Sequence, residues 1–344
     1  MKRALSVFLV LLLLLGCLNG CEGQLPTPQE KSYFSYFDTL TTVISYAGDD
    51  EAVFNANCAA VEQMFIRYHK LFDIYNAYDG INNLYTVNQM AGVAPVAVEK
   101  ELIDFLLYAK EVYTLTRGET NVMLGAVLSL WHDCREQAGI GVSALPDEGA
   151  LTEAAKHTAI ESLVIDEAEG TVFITDSMAS LDVGALGKGY AAERAAGHLR
   201  ERGAEGYVLD VGGNLRAIGA KPNGDGWITG VTDPLGGGGY LAKLTFSYAS
   251  LVTSGNYLRY FVVDGKKYHH VIDKDTLYPA EGFASVTVYT ADSGLADALS
   301  TALFCMTYED GVSLLATLPD TDALWVTKSG EIKMTEGMTQ RLLP

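Results

Sequence analysis

The chain has 344 residues, 49% of them hydrophobic and 19% charged, which is enough apolar material for one large core or two ordinary ones. Its formal charge of −19 excludes nucleic acid as a partner, because a phosphate backbone needs a basic surface. An anionic ligand would have to be held by local features: a helix end, a lysine or a divalent cation.

Lys2-Arg3 precedes an apolar run from Ala4 to Leu15. The run is too short and too early for a membrane-spanning helix and reads as a secretion signal. It ends in Leu14-Leu15-Gly16-Cys17 and Leu18-Asn19-Gly20-Cys21, both of which resemble a bacterial lipobox whose cysteine is lipidated. Asn19-Gly20 favours Cys21. Cys17, or a plain cleaved signal with incidental cysteines, is the alternative. The expectation is a signal peptide over 1–20, lipidation at Cys21, a tether over 21–32 containing Pro26 and Pro28, and a folded domain over 33–335. The protein would then be lipid-anchored to the cell membrane and face its extracytoplasmic side. The remaining cysteines, Cys58, Cys134 and Cys305, are far apart and form no CxxC pair, so no zinc or redox site is indicated.

Tyr33 to Tyr46 is rich in aromatic and β-branched residues and predicts one strand, interrupted at Asp38-Thr39. Phe54, Cys58, Val61, Phe65, Tyr68 and Phe72 recur at steps of three and four and predict an amphipathic helix over Glu51 to Phe72. Asp73 to Asn88 is a polar loop rich in Asn and Tyr. Its tyrosines can stack on a planar ring or serve as ordinary surface residues. A second helix is predicted over Glu99 to Thr116, then Glu119-Thr120-Asn121 with a possible N-cap, and a helical run to Trp131. A short helix (Leu151 to His157) and a hairpin (Leu163 to Ile174, turning near Glu169-Gly170) follow. Leu181 to Tyr190 reads as a strand end, a Gly-punctuated turn and the start of a helix running to Arg202. Strands are then predicted over Tyr207–Val211, 215–219, 227–231, 241–246, 249–253, 257–263, 268–272 and 285–289, as a largely antiparallel meander. Asp292 to Met306 and Asp310 to Thr317 predict helices, and Ala323 to Thr327 a final strand. Helices and strands mix without regular βαβ alternation, so the class is α+β.

Four stretches carry candidate chemistry. In Asp182 to Tyr190, Gly184, Gly187 and Gly189 admit close backbone approaches, and Lys188 sits where the following helix would point free N–H groups. That turn can hold a phosphate, or be a plain connection with a surface lysine. Asp297 and Thr301 are four residues apart on one helix face, and their hard oxygens suit Mg²⁺. Read alone, that pair is more often a solvated Asp and a Thr bonded to its own helix. His269-His270-Val271-Ile272-Asp273 ends a strand and offers either a general base or a backbone-bonded structural histidine. Asp210-Val211-Gly212-Gly213-Asn214 suits a tight turn but is no dinucleotide fingerprint, and there is no Walker A or Gly-x-Ser-x-Gly motif.

Taken together and in order, these segments resemble the ApbE family of FAD:protein FMN transferases, over about residues 34 to 327. Phe37 to Thr42 resembles the family's early strand, and Phe72-Asp73-Ile74-Tyr75 through Asn88 its "Tyr … Ser-Glu … Leu-Asn" loop with an insertion. Glu119-Thr120-Asn121 with Trp131 resembles "Phe-Asp-Pro-Thr … Leu-Trp", with Asn121 where Asp is usual. Asp182 to Tyr190 resembles "Asp-Leu-Gly-Gly-Ile-Ala-Lys-Gly-Tyr", and Val211 to Asn214 "Val-Gly-Gly-Asp". Thr253 to Tyr257 resembles "Thr-Ser-Gly-x-Tyr", and His270 to Asp273 "His-Ile-Ile-Asp-Pro", with Lys274 replacing Pro. Asp297 to Thr301 resembles "Asp-Ala-Leu-Ala-Thr".

The resemblance implies a single ApbE-like, T-fold-like α+β domain. It implies FAD as substrate, Mg²⁺ as cofactor, and transfer of FMN to a Thr hydroxyl of an extracytoplasmic acceptor flavoprotein, releasing AMP. Carried over by position, Asp297, Thr301 and the Ala185 carbonyl would hold Mg²⁺. Leu40, Tyr78 (or Tyr75), Glu119, Thr120, Asn121, Asp182, Lys188, Ile272 and Ser300 would contact FAD. His270 is the expected general base. The Asn121 departure weakens one of the FAD contacts. Hydrolysis of FAD to FMN and AMP, and a flavin-binding lipoprotein without turnover, are the competing readings.

Overall fold

The computed structural model describes residues 25–344 apart from Leu258. The predicted signal peptide, Cys17, Cys21 and the first residues of the tether lie outside the described residues.

The chain opens with a hairpin of strands β1 (Gln29–Tyr36) and β2 (Thr39–Ser45). The single interrupted strand expected here is thus two. Phe37 and Asp38 form the two-residue turn with φ of 53° and 51°, as a type I′ hairpin requires, but without the Asn or Gly that normally signals one. Gln29, Glu30 and Lys31 pair with Ser45, Ile44 and Val43, so the end of the expected tether is sheet.

Helix α1 (Glu51–Phe72) matches its predicted span, and the Asp50 side chain caps it by accepting from the Val53 N–H at 2.8 Å. There follow α2 (Leu84–Gln89), β3 (Val96–Ala97), α3 (Lys100–Leu115), α4 (Gly125–Gly139), α5 (Glu148–Ala154), β4 (Leu163–Asp166) and β5 (Thr171–Ile174). Helix α6 (Gly187–Glu201) starts three residues before its predicted Tyr190, so Lys188 stands in its first turn.

Then come β6 (Tyr207–Val211), β7 (Asn214–Ile218), β8 (Trp227–Thr232), β9 (Tyr240–Phe246), β10 (Ser250–Gly255), β11 (Tyr260–Val263), β12 (Lys266–His269) and β13 (Phe283–Thr290). Helices α7 (Ser293–Cys305) and α8 (Tyr308–Leu315) and strand β14 (Asp322–Thr327) precede β15 (Ile332–Met334) and α9 (Glu336–Thr339). The sequence reading did not foresee these last two elements, nor β3, nor α2, which takes up the end of the expected Asp73–Asn88 loop once the Asn83 side chain caps it.

One eight-stranded sheet, in the order β1-β2-β6-β7-β10-β13-β14-β15 and antiparallel throughout, organises the molecule. Its side chains alternate between faces, and each face has its own cover. On one face α1 and α6 pack on Leu209, Val211 and Ile218, while α7 packs on Val252, Val286, Val288 and Trp325. On the other face Trp227, Val231, Leu244 and Phe246 of the β8–β9 hairpin cover Val208, Ala217, Leu251 and Leu324. The result is the expected α+β arrangement with a mostly antiparallel sheet.

Helices α6 and α7 cross at Gly189. A Cβ there would overlap the Ser293 carbonyl oxygen and the Asp297 Cβ, so only glycine permits the approach. That crossing brings Lys188 to Asp297.

Candidate active site

The predicted phosphate turn and the predicted metal pair meet at this crossing. Lys188 Nζ lies 3.3 and 3.4 Å from the two Asp297 carboxylate oxygens, and Asp297 is buried. Gly189 is the third residue of α6, so its N–H has no partner within the helix, and it donates to Asp297 Oδ2 at 2.8 Å. The Ala185 carbonyl lies just before the helix, and among the described residues no backbone N–H donates to it. Thr301, one turn beyond Asp297, is half-buried, and its hydroxyl makes no hydrogen bond among the described residues. A carboxylate, a carbonyl and a hydroxyl are all hard oxygen donors, so the set fits Mg²⁺. Among the described residues no group of three or more His, Cys, Asp and Glu could hold a metal, and this set, with one carboxylate, does not need such a group.

Asp182 is buried at the entrance to the turn. Its Oδ1 accepts from the Gly184 N–H at 2.9 Å, and its own N–H donates to the Val122 carbonyl at 2.8 Å. Asn88 clamps the preceding residue with both ends of its amide, through Leu181 N–H at 2.7 Å and Leu181 C=O at 3.0 Å. The sequence reading missed His132, on α4. Its Nε2 is 3.8 Å from Asp182 Oδ2, and its Nδ1 is 2.9 Å from the Tyr75 hydroxyl. Burial lowers the His132 pKa against the opposing pull of Asp182. No local pattern marks His132, because its role depends on α4 lying beside a segment fifty residues on.

The loop tyrosines separate. Tyr75 is exposed, with its hydroxyl on His132 and its backbone N–H on Asp73 Oδ1 at 2.7 Å. Tyr78 instead gives its hydroxyl to Asp73 Oδ2 at 2.7 Å, with Lys70 Nζ 5.6 Å from its ring centre. Of the two tyrosines named for the flavin contact, Tyr75 is linked to Asp182 through His132, and Tyr78 is held by Asp73.

Thr120 is buried and hooks its segment onto α7 by donating to the Ala298 carbonyl at 2.8 Å. Asn121 uses both ends of its amide locally, accepting from Met123 N–H and donating to the Thr158 carbonyl, each at 2.9 Å. An aspartate could not make the second bond. Glu119 pairs with Lys274 Nζ at 3.2 Å, so the residue that replaces the family's proline has a local partner. Burial raises the Glu119 pKa despite Lys274. Ser300 is buried, donating to the Asp297 carbonyl and lying 2.7 Å from the Ser254 hydroxyl. Ile272 is buried, and Leu40 is exposed near the β1–β2 turn, its carbonyl accepting from Gly212 N–H at 3.0 Å.

His270 follows β12. Its Nδ1 is 3.2 Å from the Arg259 carbonyl. A carbonyl only accepts, so Nδ1 carries the proton and Nε2 keeps its lone pair. Crowding by neighbouring atoms, with the Arg259 and Lys188 charges, pushes its pKa down to about 3. Part of the ring still faces solvent. Arg259, also missed, ties this end of the site to the first hairpin by donating to the Asp38 carbonyl at 3.2 Å. Between α4 and the β11–β12 hairpin lies a shallow cleft whose lining includes His132, Arg135, Arg259 and His270.

Comparison with known proteins places the chain in a family. The model of the ApbE family matches residues 37–325. A FAD:protein FMN transferase of Klebsiella pneumoniae (strain 342) is 30% identical over 297 residues, covering 86% of this chain and 88% of that protein. Another, of Treponema pallidum (strain Nichols), is 31% identical over 349 residues, covering 97% and 94%. The crystal structure of the ApbE protein of Thermotoga maritima has a TM-score of 0.81 at 27% identity, covering 92% of this chain and 100% of that one. The matched span holds every site segment from the β1–β2 turn to Thr301, and the chain belongs to the ApbE family.

Proposed function

We propose that the chain transfers FMN from FAD to a threonine hydroxyl of an acceptor flavoprotein, releasing AMP, with Mg²⁺ as cofactor. The FAD:protein FMN transferase activity of the Klebsiella and Treponema relatives supports this reading. The observation that carries it is the placement of His270: the Arg259 carbonyl holds its Nδ1, and among the described residues nothing bonds its Nε2, which keeps a lone pair in electrostatic reach of Lys188.

The reaction forms a bond from threonine Oγ to the FMN phosphorus and breaks the pyrophosphate P–O bond to AMP. The hydroxyl proton goes to His270 Nε2. Its pKa of about 3 belongs to the free protein, where its charged neighbours are cationic. The phosphates of bound FAD raise it and make it a better base. Lys188 offsets negative charge on the pyrophosphate by position alone. Held by the Ala185 carbonyl, Asp297 and Thr301, Mg²⁺ would mask further phosphate charge. The exposed Tyr75 ring, oriented by Asp73 and His132, is assigned to the flavin ring in preference to Tyr78. Asp182, Glu119, Thr120, Ile272, Ser300 and Leu40 complete the FAD site. Asn121 is assigned to holding its own segment in place.

Purified chain incubated with FAD, Mg²⁺ and a threonine-bearing acceptor is expected to give a covalent FMN adduct by mass spectrometry, with AMP released in step. Release of FMN and AMP equally fast without acceptor would make the chain a FAD hydrolase. FAD left intact in every condition would leave only a flavin-binding lipoprotein.

The N-terminal pattern supports a lipid anchor at Cys21 that holds the domain on the extracytoplasmic side of the cell membrane. Cys21→Ala is expected to release the protein from the membrane fraction. Retention of that variant would move the lipid to Cys17 or remove the anchor from the account.

A further inference from the structure

Behind the Lys188–Asp297 pair lies a buried charge network outside the FAD and metal sets above. Glu193, on α6, accepts from Arg216 Nε at 2.6 Å and from the Ser293 backbone N–H at 3.0 Å through Oε2. Its Oε1 accepts from Arg216 Nη2 at 3.0 Å and Arg200 Nη2 at 3.1 Å. Arg216, on β7, is 2% exposed and gives Nη1 to the Ala217 carbonyl at 2.8 Å. Burial would raise the Glu193 pKa, but Arg216, the Ser293 N–H and Arg200 together hold it below the ordinary carboxylate range.

An ionised carboxylate is thus aimed at the first helical N–H of α7, which has no partner within its own helix and favours negative charge. The same residue, Ser293, carries the carbonyl that leaves room only for Gly189. Helix α6 therefore grips the first turn of α7 twice. Asp297 and Thr301 lie one and two turns further along α7, and the Ala185 carbonyl and Lys188 lie at the start of α6. Apolar residues of equal volume could replace a buried ion pair without loss of stability, but they could not accept the Ser293 N–H.

We propose that Glu193 is a positioning residue for the cation site. Its bond to the Ser293 N–H, backed by Arg216, fixes α7 against α6 and so sets Asp297 and Thr301 relative to the Ala185 carbonyl. The proposal rests on the reading of those three residues as a divalent-cation site.

The test is Mn²⁺ titration of the full chain followed by electron paramagnetic resonance, with FAD present and no acceptor, alongside thermal unfolding. Ser293→Pro removes the N–H at a first helical position that tolerates proline, and leaves the Glu193–Arg216 pair whole. Glu193→Gln keeps an acceptor oxygen and removes the charge. Both are expected to raise the Mn²⁺ Kd by about 10- to 100-fold, the range seen when a partner behind a metal ligand is lost. Leu324→Ala, a buried β14 change on the sheet face turned away from α6 and α7, serves as the stability control and should leave the Mn²⁺ Kd unchanged while lowering Tm. Wild-type affinity in both Ser293→Pro and Glu193→Gln, or equal weakening in Leu324→Ala, overturns the proposal. Failure of the wild-type chain to bind Mn²⁺ overturns the cation-site reading itself, and the positioning role with it.

Discussion

His269 spends both ring nitrogens on the backbone, Nε2 on the Ala280 carbonyl at 3.0 Å and Nδ1 on the Val271 N–H at 3.3 Å, whereas among the described residues His270 spends only Nδ1. Adjacent in sequence, they divide into a structural residue and a candidate base because His269 ends β12 with its ring buried and His270, just past the strand, is exposed. His270→Ala is expected to lower FMN transfer ~10²–10⁴-fold with FAD affinity kept, measured by single-turnover labelling and fluorescence titration. Because the free-protein pKa is depressed to about 3, the neutral base persists as pH falls, and kcat/KM should lose this group's contribution only toward that pH. An acid limb near 6.5 that vanishes in His270→Ala would contradict the depressed value. Tyr75→Ala should weaken FAD binding about tenfold, the loss of roughly 1.4 kcal/mol of stacking and contact, while Tyr78→Ala should change it little. The reverse ranking would return the flavin contact to Tyr78. Both tyrosines were visible as candidates in sequence. The Asp73 turn that separates them was not.

At the scale of elements, α6 and α7 make the site by crossing at a glycine. Gly189→Ala is expected to cost ~1–3 kcal/mol through overpacking against Ser293 and Asp297, seen as a lower denaturation midpoint, and to weaken Mg²⁺ activation as Asp297 is displaced. Wild-type stability and Mg²⁺ dependence would show that the helices can separate without harm. Helical periodicity made α1, α3 and α7 legible, and it put Asp297 and Thr301 on one face. It could not show that Lys188 faces Asp297, because that contact joins residues more than a hundred positions apart. The first hairpin escaped because Phe37-Asp38 carries no glycine or asparagine. The Gly212-Gly213 hairpin was readable because glycine takes its φ of 60° and 93° without strain.

Across the whole molecule, two histidines of different elements, His132 and His269, have pKa values lowered first by burial. Their contribution to stability is fully present above the unfolded value of about 6.5 and is lost as pH falls from there toward the folded values, since the unfolded chain binds the protons first. Glu119 and Asp210, whose pKa values burial raises, act in the opposite sense. Thermal unfolding is expected to show a lower Tm at pH 5.5 than at pH 7.5, with a smaller drop in His269→Gln. An equal drop in both proteins would remove His269 from the account.

The sequence by itself determined the α+β class, the spans of the main helices and the ordered segments that mark the ApbE family. These follow from short-range physics: apolar periodicity, turn chemistry and residue types in a fixed order. Only the tertiary structure decided that His132 links Tyr75 to Asp182, that Arg259 ties His270 to the first hairpin, and that Glu193 reaches the first turn of α7. Each of those contacts depends on how the helices lie on the eight-stranded sheet, and no local pattern encodes a packing angle or a crossing point.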